Sequence, residues 1–215
     1  MGLIHRILWY LLLLLPCTWP AVARAAEYPD GSWRLESASF ESGDWFGGAV
    51  AHVGDYILVG EPNDAGSSGD AHLYQWSAAD GFTQVWSSDD GDDSSYGQSV
   101  VMSADFMVVG APSRLNGGMS VGRLYVYTVD SGLPQLAYTL DGGSAWDEFG
   151  ATLELHDNVL FVSSPGAENL TGKVDIHVLG ADDSNLWSTL VPGNGTETSL
   201  DYGRSIAVHE LSDGT

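Results

Sequence analysis

The sequence predicts an all-β fold made of repeated four-stranded units, and three observations predict it. An aromatic residue followed by glycine recurs at Phe46-Gly47, Tyr96-Gly97, Phe149-Gly150 and Tyr202-Gly203, the glycines standing 50, 53 and 53 residues apart. Fifteen residues after each of the first three glycines comes a proline, Pro62, Pro112 and Pro165, closing Gly60-Glu61-Pro62, Gly110-Ala111-Pro112 and Ser163-Ser164-Pro165. Between these markers apolar residues either alternate or run on continuously, and no stretch past residue 25 has sustained helical periodicity. Self-similarity at a period near 50 residues marks a repeat architecture, and period-two patterning marks strands.

Residues 1–25 read as a secretory signal peptide. Arg6 precedes the apolar run Ile7 to Leu15, followed by Pro16, Pro20 and the small-residue stretch Ala23-Arg24-Ala25. That is the order of charged region, apolar region and cleavage site, and the run is far short of the ~20 residues that span a bilayer. Cutting after Ala25 removes the only cysteine, Cys17, together with Arg6 and Arg24. It leaves 5 basic residues against all 29 acidic ones, a net charge of −24 over 190 residues. The expected location is therefore secreted or extracellular, with the possibility of an ectodomain of a longer membrane-anchored protein. A chain without disulfides must hold itself by core packing, which suits a large β-repeat rather than a small stapled domain. So acidic a surface lacks the basic stripe needed for nucleic acid or for direct binding to an anionic membrane.

Each unit then reads as four strands. The first alternates, with Val50 and His52, Val100 and Met102, Leu153 and Leu155, and Ile206 and Val208 in one phase. Ser99, Thr152 and Ser205 take the other. The second is apolar in both phases: Tyr56 to Val59, Phe106 to Val109, Val159 to Val162. Such runs belong to strands covered on both faces. Asp55, Asp105 and Asn158 make the tight turns between first and second strands. After Gly69, Gly122 and Gly172 come third strands at Leu73 to Trp76, Leu124 to Tyr127 and Val174 to Val178. Fourth strands are expected at Phe82 to Trp86, Gln135 to Leu140 and Leu186 to Val191. Four strands per unit, the inner ones covered on both faces, predict a β-propeller of antiparallel blades. The units run over about 44–92, 93–145 and 146–199. A fourth, 200–215, stops within its first hairpin, and 33–40 is expected to be the outer strand of a closing blade. Propellers close with 4–8 blades, so the chain is expected to be a fragment of a longer protein, or else to pair its open edge with another chain.

These residues resemble the FG-GAP repeat family, the blades of integrin α heads. The second unit shows the motif nearly whole, as Tyr96-Gly97-Gln98-Ser99-Val100 and then Val108-Val109-Gly110-Ala111-Pro112. The resemblance covers residues 33 to 215. It implies a propeller of seven blades, an extracellular setting and a role in ligand or cell-surface recognition. One departure matters. Integrin-type blades often carry a calcium loop between the Phe-Gly strand and the Gly-Ala-Pro strand, but here that hairpin is only Val53-Gly54-Asp55 or Ser103-Ala104-Asp105. Too few carboxylates are present for the 6–8 oxygens calcium takes, so the chain looks like the short-hairpin variety, and no cofactor is expected.

Candidate chemistry is weighed residue by residue. Asp89, Asp90, Asp92 and Asp93 form the densest acidic cluster. They offer calcium some carboxylates but lack the regular spacing of an EF-hand, and the plainer reading is a solvated loop leading into Tyr96-Gly97. Gly118-Met119-Ser120-Val121-Gly122 matches the serine-hydrolase pattern, which needs a strand-to-helix elbow. Here it falls in a hairpin loop with no helix after it. His52, His72, His156, His177 and His209 show no metal-ligand spacing and read as structural. Asp147 and Glu148 are adjacent and point opposite ways on a strand. Asp44 and Asp147 both precede the repeat aromatic by two residues, which suggests a turn role. Phe46, Tyr96, Phe149 and Tyr202 read as wedges between blades, while Trp45, Trp146 and Trp187 in or near loops are candidate hot spots. Asn169-Leu170-Thr171 and Asn194-Gly195-Thr196 are N-glycosylation sequons. The expectation is a secreted or cell-surface propeller, not an enzyme, whose loops bind an extracellular protein or glycan partner in adhesion or recognition. Two other readings stand beside it. The propeller could serve an extracellular glycan- or lipid-active enzyme, or be a structural ectodomain spacer.

Overall fold

The computed structural model describes residues 26–27, 33–35, 42–63, 68–193 and 201–208, with the backbone alone for 26, 27, 33, 68, 89–94 and 116. The signal peptide, residues 36–40, Asn194 and His209 lie outside the described residues. Strands β1 (Ala26–Glu27) and β2 (Trp33–Arg34) pair with each other. Then come β3 (Ala49–Val53), β4 (Tyr56–Glu61), β5 (Ser68–Ser77) and β6 (Gly81–Ser94), which form one four-stranded antiparallel sheet in that order. The second sheet has β7 (Ser99–Met102), β8 (Phe106–Ala111), β11 (Arg123–Asp130) and β12 (Leu133–Asp141). A small hairpin, β9 (Leu115–Asn116) with β10 (Met119–Ser120), interrupts it in the chain. The third sheet has β13 (Leu153–His156), β14 (Val159–Ser164), β15 (Lys173–Leu179) and β16 (Ser184–Leu190). These are three propeller blades, each a meander from innermost to outermost strand. The fold is all-β, an incomplete propeller, as the repeat period predicts.

The blades shelter one another's faces. Leu58, Ala71 and Leu73 of the first sheet meet Tyr96, Val100, Met107, Val109, Tyr125 and Tyr127 of the second in one buried cluster. Val108, Leu124 and Val126, on the opposite face of the second sheet, meet Phe149, Leu153, Leu160 and Val162 of the third. A strand such as β8 is thus buried along its whole length and must be apolar in both phases. The first strands β3, β7 and β13 lie side by side around a shallow cavity of about 280 Å³. It is lined by Val50, Ala51, Val100 and Leu155 with Glu154. There the alternation has its cause, since one phase of each inner strand faces the space between blades and the other the axis.

The aromatic–glycine turn is the same in every unit. The residue before the aromatic is left-handed each time, φ 61, 65, 54 and 49 at Trp45, Ser95, Glu148 and Asp201. The glycine after it has φ 84, 85, 90 and 86 at Gly47, Gly97, Gly150 and Gly203. Positive φ on both sides of the aromatic is why glycine is fixed in the motif. The turn closes on N–H to carbonyl bonds from Gly48 to Trp45, Gln98 to Ser95, Ala151 to Glu148 and Arg204 to Asp201. Glycine N–H groups of the first three units bond across to Gly60, Gly110 and Ser163. The turn residues Asp55, Asp105 and Asn158 accept N–H bonds from Trp76, Val129 and Leu179 on the third strands. A bulge recurs between third and outer strands at the same register, leaving Val85, Ala137 and Trp187 unmatched.

Two expectations are corrected, and two further features stand beside them. Trp33–Arg34 is a strand and pairs with Ala26–Glu27; Leu35 after it packs on the first sheet beside Val59 and Tyr74. Asp89, Asp90, Asp92 and Asp93 lie in strand β6 and not in a loop, because β5 begins early and offers partners from Asp70↔Asp89 to Ser68↔Ser94. Ile206–Val208 form no strand, having no hydrogen-bonded partner among the described residues. Residues Ala167–Leu170 make one helical turn, a left-handed one with Glu168, Asn169 and Leu170 at φ 53, 60 and 70.

Candidate functional site

The blades have two unlike ends. At one, tight hairpins join first to second and third to outer strands. At the other lie the aromatic–glycine turns, the connections between second and third strands, and the links from blade to blade. The second end has the longer loops, and loops on a rigid scaffold are where binding residues gather. It also carries exposed apolar side chains from each described blade. Trp45 is 70% exposed and Trp146 65%, and Leu115, Met119 and Leu170 are exposed at the same end. Both tryptophans hold the left-handed backbone, at φ 61 and 68, uncommon for a bulky residue. The backbone of Trp146 is clamped from two sides. Its N–H donates to Ser120 at 2.5 Å, and Gly166 sits so close to its carbonyl that no Cβ fits.

Between the link Gly143 to Asp147 and the left-handed turn opens a cleft of about 590 Å³, lined by Trp146, Asp147, Glu168, Asn169, Leu170 and Lys173. A neighbouring cleft of about 410 Å³ shares Gly166 and Leu170 and is bounded by Glu148, Thr152, Asp201 and Arg204. Asp147 is 6% exposed. Burial pushes its carboxyl above the usual aspartate value, against the pull of Lys173 and a Ser144 N–H bond. Its carbonyl accepts the Gly166 N–H at 3.1 Å, as that of buried Asp44 accepts Asn63 at 3.2 Å. The two aspartates thus hold the same place in two units.

Three cations of this end are paired with carboxylates. Lys173 Nζ lies 2.9 Å from Asp175, which also accepts the Thr189 hydroxyl at 2.6 Å. Arg204 meets Asp201 at 2.7 Å. Arg123 donates to both oxygens of Asp141, at 2.6 and 3.1 Å, and holds that carboxyl below its usual value. Glu148 and Glu168 are exposed and in no ion pair among the described residues.

Other candidates fall elsewhere. Phe46 stacks on His72 and Tyr74, Tyr96 on Tyr125, and Phe149 on His177, so each wedges against the third strand of its own blade. Tyr96 is fully buried and its hydroxyl lies 2.8 Å from that of Tyr127, whereas Tyr202 is part-exposed. Ser120 is buried in the small hairpin and donates to the Pro112 carbonyl, far from any nucleophile elbow. Trp187 stands exposed on outer strand β16. Asn169 is exposed on the left-handed turn. Among the described residues no three carboxylate, imidazole or thiol groups converge as metal ligands.

Sequence reasoning missed one buried pair. Glu61 and His72 are 0% and 4% exposed, with Oε2 2.7 Å from Nε2. Their other polar atoms, Glu61 Oε1 and His72 Nδ1, have no partner. The signal was a charged residue at the position held by Ala111 in the second unit, in a phase that is otherwise buried.

His177 is buried against Phe149 at 6.3 Å, with Nε2 unpartnered and Asp175, Lys173 and Ser184 around it. Burial lowers its pKa below the ordinary 6.5, Asp175 opposing and Lys173 adding to the effect. The unfolded chain then takes up this proton first, so the contribution is complete above about pH 6.5 and declines as pH falls through that value. Denaturant midpoints at pH 7.5 and 5.5 should fall further in the wild type than in His177→Gln. Equal declines would remove His177 as the cause.

A family model of the FG-GAP repeat matches residues 34–74 and 83–127. No curated protein matches the chain. The second match begins in outer strand β6 of one blade and ends in third strand β11 of the next. The repeat in sequence is therefore out of step with the sheet, and each motif turn lies at the seam between two blades.

Proposed function

Because the chain carries FG-GAP repeats folded as propeller blades, we propose that it is a secreted or cell-surface binding module, without catalysis of its own, whose loop-bearing end recognises an extracellular protein or glycan. FG-GAP repeats form propeller-like modules that are often extracellular and typically non-catalytic. The observation that carries the reading is the pair Trp45 and Trp146, exposed at the same end of separate blades. Large aromatic side chains are favoured anchors of interfaces, and here they are presented from backbone fixed by the repeat turn. Among the described residues the axial cavity is lined by apolar side chains together with Glu154. The apolar leader supports export through residues 1–25.

Fluorescently labelled protein on intact cells and on a glycan array tests this. Trp45→Ala with Trp146→Ala should lower binding about ten-fold or more, with circular dichroism unchanged, because anchor truncations typically cost 2 kcal/mol or more. Undiminished binding by the double variant would move the site elsewhere. Hydrolysis of an array glycan by the purified chain would replace the reading with an enzymatic one.

A further inference from the structure

We propose that the cleft beside Trp146 receives a lysine or arginine side chain from a basic segment of a partner protein. This rests on the binding reading above and names the chemistry of its ligand. It is lined by Trp146, Leu170, Asp147 and Glu168, and of these Trp146, Leu170 and Glu168 are exposed. An exposed indole face attracts a cation through its quadrupole, with arginine or lysine stems lying along apolar surface. The charge balance points the same way. Lys173, the one cation lining the cleft among the described residues, is held by Asp175 at 2.9 Å. Arg204 in the neighbouring cleft is held by Asp201. Glu168 and Glu148 at the two rims are in no ion pair among the described residues. The whole chain carries a formal charge of −22. In these two clefts a partner presenting anions would meet cations already paired, Lys173 and Arg204. One presenting a cation meets an uncompensated carboxylate and an aromatic face in the same concavity. The desolvation that disfavours the charged form of Asp147 is offset by a cation in the cleft, so binding should tighten as that carboxyl ionises.

Glycans are the competing ligand, and the test separates them. The full secreted chain is labelled with ¹⁵N, and the Trp146 indole resonance is assigned by its loss in Trp146→Phe. It is titrated at about 0.15 M salt, where the Debye length is near 8 Å and diffuse attraction is damped. The probes are hexalysine, its fully acetylated twin and chitotriose. Hexalysine should move the Trp146 resonance while the acetylated twin and chitotriose leave it in place. Trp146→Ala should weaken hexalysine about ten-fold and Glu168→Gln about three-fold, whereas Glu154→Gln on the inner strand, which removes the same charge at a distance, should change nothing. Equal weakening by Glu154→Gln and Glu168→Gln, or wild-type affinity in Trp146→Ala, would show attraction to net charge alone and overturn the assignment. A shift with chitotriose or the acetylated twin equal to that with hexalysine would overturn the cationic ligand while leaving the binding surface standing. No shift with any probe would remove the cleft as a site.

Discussion

Gly122→Ala should destabilise the protein by more than about 3 kcal/mol, while Gly118→Ala four residues earlier should cost only about 1. Both glycines are left-handed, at φ 82 and 85, so both substitutions carry the ~1–2 kcal/mol penalty of an L-residue in that region. They differ in what surrounds them. Nothing lies within 4 Å of a Cβ on Gly118. A Cβ on Gly122 would overlap the carbonyl oxygen of Phe149 and lie 2.7 Å from its nitrogen. Those are backbone atoms of the next blade's motif turn, which cannot rotate away. The second and third blades would have to separate, opening the cluster around Leu124, Leu160 and Val162. Gly172 meets Tyr202 in the same way, with the nitrogen at 2.6 Å, so the contact is a seam rule and not an accident of one loop. Urea denaturation at pH 7 gives the comparison, with Tm as a second readout at roughly 2–4 °C per kcal/mol for a chain of this size. Equal costs for the two variants would mean that conformation alone explains the glycine, and the seam argument would fall.

That seam is also where the sequence was most legible. The fixed fifteen-residue interval between glycine and proline recurs because Gly47, Gly97 and Gly150 each donate a hydrogen bond to the residue two before Pro62, Pro112 and Pro165. A hydrogen bond between two fixed points in a sheet leaves no room for insertions. Continuous apolar runs located β4, β8 and β14 because a strand between two sheets has no solvent phase. The outer strands were less legible. β6 extends to Ser94 through a polar stretch, held by backbone pairing with β5 that side-chain pattern does not report. The cleft was illegible for a related reason. Trp146, Asp147 and Glu168 are brought together by a left-handed turn, Ala167–Leu170, whose positive φ values fall on residues of ordinary type. Composition gave the tryptophan and the charges, but their convergence depends on Gly166 packing against the Trp146 carbonyl.

Replacing Glu61 alone by leucine should be the other strongly disruptive change, at roughly 3–5 kcal/mol, and replacing His72 as well should restore most of the loss. Glu61 and His72 face the side of the first sheet that packs against Phe46, Tyr74 and Leu35. The corresponding residues of the second blade are Ala111 and Tyr125, which sit in an apolar interface. A polar pair has therefore been placed where the repeat elsewhere uses hydrocarbon. A buried pair of this kind contributes little beyond its own desolvation, yet removing one partner strands the other without hydrogen-bonding partners. Here the penalty is sharpened because Oε1 and Nδ1 are already unpartnered, leaving the 2.7 Å contact to satisfy both side chains. Burial, and then the charge of Glu61, also hold the Tyr74 hydroxyl far above its usual pKa, so the carboxylate acts on a second buried group of the same face. A double-mutant cycle of Glu61→Leu, His72→Leu and both together, read by denaturation, isolates the coupling. Glu61→Gln serves as a milder probe, since an amide can keep the contact to Nε2. If the double variant loses the sum of the two single losses, the residues act independently. If Glu61→Leu costs less than about 1 kcal/mol, this face of the first blade is open enough for water to reach His72, and the apolar layer of Phe46 and Leu35 would not be the cover that the structure places there.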